Sequence, residues 1–182
     1  MSRIILSLAI VSTVLLTSAY VLGWNVEPAA ARTGESLFDL HFAVALGAML
    51  FATLVHGITL TYFMGTGRWL EETLSAYSLP MERFERSRRL KYRVIGWMTL
   101  AFLSLLFTGA CGAAAHVSTA IGPRFWWGIP VATWHFAAAS VALTLNTYVH
   151  AREYEAVLEN NRLIRSVVDD VRRIRAEHGL PC

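Results

Sequence analysis

The sequence predicts an all-α integral membrane protein, an antiparallel four-helix bundle whose fourth helix continues into a long cytoplasmic extension. Composition is the first reason: 55% of the 182 residues are hydrophobic and only 16% are charged, against about a quarter charged in soluble domains. The second is length, because apolar runs at about 4–23, 38–65, 94–117 and 128–150 each reach the roughly 20 residues that cross a hydrocarbon core. The third is the distribution of basic residues. Seven lie in 66–93 and six after Val149, against only Arg32 and Arg124 in the other two loops. The positive-inside rule then places both termini and the 66–93 loop in the cytoplasm, as expected of a single domain, 1–182, in a bacterial inner membrane. Topology accounts for the net charge of +3, so the lipid bilayer is the expected partner and nucleic acid is not.

The first run follows Arg3 and precedes Ala29, Ala30 and Ala31, as a secretory signal would. Near twenty residues, it exceeds the core of about 7–15 typical of such signals and is expected to remain as a span. Its polar residues are Ser and Thr, whose hydroxyls can bond back to helix carbonyls. Pro28, Gly34 and three alanines make 24–37 an irregular external connection, anchored by Trp24.

The second run is expected to break at Gly65 and Gly67, with Arg68 and Trp69 marking the cytoplasmic face. After it, Leu70, Leu74 and Tyr77, then Phe84 and Arg88, fall at helical spacing, which predicts short amphipathic helices on the membrane surface. Small residues from Gly109 to Ala115 end the third span and allow close backbone approach. Phe125, Trp126 and Trp127 form an aromatic belt between Pro123 and Pro130, and Pro130 suits the first turn of the fourth helix. In the cytoplasmic helical tail, 151–178, Val157, Asn160, Ile164, Val167, Val171 and Ile174 alternate by three and four. That stripe predicts either docking on the chain's own cytoplasmic loop or a short coiled coil with a second copy or another subunit. Cys111 and Cys182 lie at different levels and are not expected to pair. Phosphate-cradling loops, zinc-spaced Cys pairs and a nucleophile elbow are absent.

The chemistry-bearing feature is a repeated histidine spacing. His41 and His56 are fifteen positions apart in the second run, and His135 and His150 are fifteen apart in the fourth. Those two spans both run inward, so the histidines fall at matched levels, His41 with His135 outside and His56 with His150 inside, about 22 Å apart along the helices. Each level presents two imidazoles on facing helices, which is what an iron with two axial histidines requires.

Here the chain resembles the dihaem b-type cytochromes, in particular the four-helix haem-binding core of the cytochrome b of quinol-oxidising complexes. The resemblance lies in Leu40-His41 to His56-Gly57 with Thr61-Tyr62-Phe63-Met64-Gly65, and in Trp134-His135-Phe136 to Val149-His150. It implies one or two haem b groups, with His41 and His135 as axial iron ligands of an outer haem and His56 and His150 of an inner one. It further implies electron transfer across the bilayer, a quinone as a further candidate ligand, and other membrane redox subunits or a second copy as partners. The family spacing is one residue shorter. Fifteen steps overshoot a common face by about 60°, which predicts partner rings turned to opposite sides. His150 lies two residues before Arg152 and His56 twelve before Arg68, so the inner pair requires a helix offset while the outer pair does not.

Two other classes fit the sequence. One is a cofactor-free accessory or assembly subunit of a larger membrane complex, from the small size and heptad-like tail. The other is a membrane enzyme with an external non-haem metal held by His41, His116 and His135, a site short of carboxylates because only Asp39 is near. An electron-transfer or accessory subunit is expected before a self-contained enzyme.

Overall fold

The structure, a computed structural model, describes residues 1–26, 37–115 and 125–180. Four helices dominate: α1 (Ser2–Trp24), α2 (Leu37–Ala76), α3 (Glu82–Ala115) and α4 (Val131–Glu177), with a minimal hairpin, β1 (Phe125–Trp126) and β2 (Ile129–Pro130), leading into α4. Three of them, α1, α2 and α3, are long and apolar enough to cross a membrane, with mean hydropathies of 2.2, 1.9 and 1.9. The expected fourth span, 128–150, is not one of these, because His135, Asn146 and His150 interrupt its apolar stretch. In the apolar stretch of each of the three, only 28% of residues are buried within the protein; Ile10, Val14, Leu46, Leu50, Leu103 and Phe107 are among the many apolar side chains facing outward.

The buried positions of α1, Ile5, Ala9, Ser12, Leu16 and Ala19, alternate by four and three, the seam of left-handed helix packing. In α4 the same alternation runs through Ala138, Ala142, Asn146, Val149, Glu153 and Ala156. Close contacts link the end of α1 to the start of α2 (Gly23 with His41) and the end of α3 to the start of α4 (Gly112 with His135), so each of these pairs runs antiparallel. An outer apolar cluster contains Leu16, Ala48, Ala52, Leu105 and Ala142. The next contains Ile5, Tyr62, Phe63, Leu90, Val94 and Val149.

The helices continue well beyond the expected spans. α2 does not break at Gly65 and Gly67: it is one helix of 40 residues. A helical glycine costs only about 1 kcal/mol relative to alanine, and buried Phe63, Leu70 and Leu74 hold the segment on either side. Its end is a Schellman motif built on Ser78, at φ 51, with the Leu79 amide donating to the Leu74 carbonyl at 2.8 Å. The segment expected to form short surface helices is therefore the packed end of α2, a turn, and the packed start of α3.

The tail stripe docks on its own chain. Val167 is buried with Leu70 and Leu74, flanked by Phe84, Ile164 and Val171. Polar contacts extend the seam: the Tyr62 hydroxyl donates to Asn161 Oδ1 at 2.8 Å, and Asn160 Nδ2 donates to Thr66 Oγ1 at 2.9 Å. At the other end, the aromatic belt folds into a hairpin whose central residues Trp127 (φ 50) and Gly128 (φ 77) have the positive φ pair of a type I′ turn. Pro130 precedes the first turn of α4 as its N-cap; the 24–37 connection lies largely outside the described residues, and Pro123, Arg124 and Cys182 lie wholly outside them.

Candidate functional site

The four histidines meet in the pairs that their spacing predicts, but the two levels differ in chemistry. At the outer level the His41 and His135 rings lie 6.2 Å apart, centre to centre, at 76°. His41 Nδ1 is 2.9 Å from the Ala19 carbonyl oxygen of α1, and His135 Nδ1 is 3.0 Å from the Thr108 carbonyl oxygen of α3. A carbonyl only accepts, so both Nδ1 atoms carry the proton and donate it. Each Nε2 is thereby left with a free lone pair, the tautomer a metal-ligating histidine uses.

Two glycines make room for these rings. A Cβ on Gly23 would fall 2.7 Å from His41 Cε1, and one on Gly112 would fall 2.9 Å from His135 Cε1. His41 thus leans on α1 and His135 on α3, so the two rings are held from opposite sides of the α2–α4 pair.

At the inner level the His56 and His150 rings are 5.0 Å apart and inclined by 31°. Both Nδ1 atoms face one carboxylate: His56 Nδ1 lies 2.8 Å from Glu153 Oε1, and His150 Nδ1 lies 3.1 Å from Oε2. The outward nitrogens are also engaged, His56 Nε2 with Asn146 Oδ1 at 3.2 Å and His150 Nε2 with Ser12 Oγ at 3.0 Å. Asn146 is itself fixed, its Nδ2 donating to the Ala142 carbonyl at 2.8 Å. Glu153, Asn146 and Ser12 are fully buried.

The inner pair needs no helix offset. Thr66, ten residues after His56, accepts a hydrogen bond from Asn160, ten residues after His150, so α2 and α4 stay in register beyond both histidines. The 60° overshoot is expressed as a change of partner: His41 turns to α1, whereas His56 turns to Asn146 and Glu153 of α4.

No protein-family model, curated protein or solved structure matches this chain.

The separation of the outer rings fits two imidazoles that would share one metal ion. Metal–imidazole bonds of about 2 Å place the centres of two opposed rings about 6 Å apart, against 6.2 Å here, and among the described residues neither Nε2 has a hydrogen-bond partner. The inner pair in this arrangement does not, because all four ring nitrogens are engaged and the rings are about 1 Å closer than that geometry requires. It forms instead a three-donor set, His56, His150 and Glu153, whose ligand atoms lie within 4.8 Å of one another. His116, the third member of the external non-haem alternative, lies outside the described residues.

Sequence reasoning missed Glu153, Asn146 and Ser12. The usable signal was the spacing Asn146, His150, Glu153, four and then three residues apart, which places all three on one face of α4. With Arg152 taken as the start of the solvated tail, Glu153 reads as one surface charge among several.

Proposed function

We propose that this is an integral membrane haem protein of b type, with one haem held near the outer face between His41 and His135, acting in electron transfer. The carrying observation is the pair of free Nε2 lone pairs in the outer site, each fixed by an Nδ1–H bond to a backbone carbonyl of a neighbouring helix. An orienting bond of this kind sets the tautomer and raises ligand basicity.

The membrane setting is supported by the three long apolar helices and their outward apolar faces. As the fourth span α4 is less apolar, but its His135, Asn146 and His150 bond inside the protein, which is how polar residues are accommodated at membrane depth. The basic segments 66–93 and 151–178 support a reading in which both termini lie in the cytoplasm, as in a bacterial inner-membrane protein.

A haem with two histidine ligands supplies one-electron chemistry without an open iron position, so the role is electron transfer rather than substrate turnover. This chain's contribution is positional. Ala19 and Thr108 carbonyls hold the ring planes, Gly23 and Gly112 admit them, and the apolar cluster of Leu16, Leu105 and Ala142 keeps water away. A quinone and further redox subunits are partners implied by the resemblance alone. The accessory-subunit reading loses part of its support, because the tail stripe on which it drew is covered within the chain.

The test is the absorption spectrum of the full chain, expressed with haem supplied and then reduced with dithionite. Soret and α bands at one haem per chain are expected, and His41→Ala and His135→Ala should each abolish them. A haem-competent preparation without bands, or His135→Ala with an unchanged spectrum, would overturn the proposal.

A further inference from the structure

We propose that His56, His150 and Glu153 form a second site, independent of the haem reading, that binds one divalent first-row transition ion through the two Nδ1 atoms and the Glu153 carboxylate. Proton accounting at His56 leads there. Asn146 Nδ2 donates to the Ala142 carbonyl at 2.8 Å, which turns Oδ1 toward His56 Nε2. That oxygen only accepts, so Nε2 carries the hydrogen and a neutral His56 presents a bare Nδ1 lone pair to Glu153 Oε1, 2.8 Å away.

Two lone pairs facing each other at that distance need a positive species, either a proton between them or a metal ion held by both from one side at about 2 Å. Glu153 is fully buried, and among the described residues its only ionic partners are the two imidazoles. A lone buried carboxylate is costly.

The remaining contacts favour the ion. The same ring atom, Nδ1, of both histidines is turned to the one carboxylate, and all three donors lie within 4.8 Å of one another. Each opposite nitrogen meets an orienting oxygen, Asn146 Oδ1 or Ser12 Oγ, the arrangement that fixes ring plane and tautomer around bound metals. Two imidazoles and one carboxylate suit zinc, cobalt, iron or copper over magnesium or calcium. A groove of about 330 Å³ between α1 and α4, lined by Ala9, Ile10, Thr13 and Thr147, reaches the site at His150. The site draws on three helices, with Ser12 on α1, His56 on α2 and the rest on α4.

The experiment uses the full chain in detergent, stripped with chelator and without haem, titrated with Co²⁺ and then with Zn²⁺. One Co²⁺ per chain with visible absorption, displaced by Zn²⁺, is expected. Glu153→Gln should weaken binding at least 100-fold, and Ser12→Ala, which leaves the ligands in place, about tenfold; Gly96→Ala, where an added Cβ meets nothing within 4 Å, should bind Co²⁺ as the unaltered chain does. Because Glu153→Gln can also disturb folding, Ser12→Ala and the unaltered chain carry the test if it does. Overturning results are no Co²⁺ uptake by the unaltered chain, Co²⁺ affinity unchanged in Ser12→Ala, or a second haem per chain that His56→Ala removes. Loss of the haem spectrum alone leaves these readings unaffected, so the two sites fail or stand separately.

Discussion

Gly112→Ala tests whether the outer histidines are held as tightly as their contacts indicate. The added Cβ would lie 2.9 Å from His135 Cε1 and 3.2 Å from its Nδ1, so the ring must retreat by about 0.5 Å, the tolerance within which a ligand site keeps its geometry. Three effects compete. Alanine gains about 1 kcal/mol of helix propensity over glycine. Overpacking costs about 1–3 kcal/mol, and losing the Nδ1–H bond to Thr108 costs about 0.5–1.5 kcal/mol. The cost prevails, leaving about 0.5–3.5 kcal/mol of destabilisation. Gly47→Ala and Gly96→Ala are the controls, since a Cβ at either meets nothing within 4 Å, and each should gain up to about 1 kcal/mol. The assay is thermal unfolding in detergent together with haem per chain. Gly112→Ala should melt below the unaltered chain and lower haem affinity about tenfold or more, while the controls melt at or above it with full haem. Gly112→Ala behaving as Gly96→Ala does in both measurements would refute the reasoning.

Two further outcomes are expected from thermal unfolding of the full chain. Asn146→Ala removes the oxygen facing His56 Nε2 and leaves a buried donor without its acceptor; it should cost about 1–3 kcal/mol, and an unchanged melting temperature would show that the bond contributes nothing. Leu74→Ala opens a fully buried position beside Val167 and should cost about 2–5 kcal/mol, with proteolysis in the 151–178 tail rising in parallel; a protease-resistant tail in that variant would argue against its docking on α2.

The helices and the pairing of their histidines were legible because both follow from local rules. Apolar runs of sufficient length mark the helices, and two helices of the same direction place His41 beside His135 and His56 beside His150. Helix boundaries were less legible, since Gly65 and Gly67 weaken a helix by an amount that the burial of Phe63, Leu70 and Leu74 outweighs, and that burial depends on Val167, nearly a hundred residues away. The inner site was half legible. His56 and His150 announce themselves by spacing, but Glu153 is meaningful only once α2 stays in register with α4, as the bond from Asn160 to Thr66 shows. The direction in which each ring turns was not legible at all, because it is decided by carbonyls and glycines on other helices.

α4 carries residues of both sites on one uninterrupted rod. From Val131 to His178 there is neither glycine nor proline, so nothing between His135 and Glu153 can flex to absorb a change in length. Deleting one residue between them would turn everything beyond it by about 100° and draw it in by about 1.5 Å. His135 would keep its place beside His41, whereas Asn146, His150 and Glu153 would leave theirs together. The helix therefore works as a ruler, and the two sites are bound to a common phase although no side chain of one touches the other.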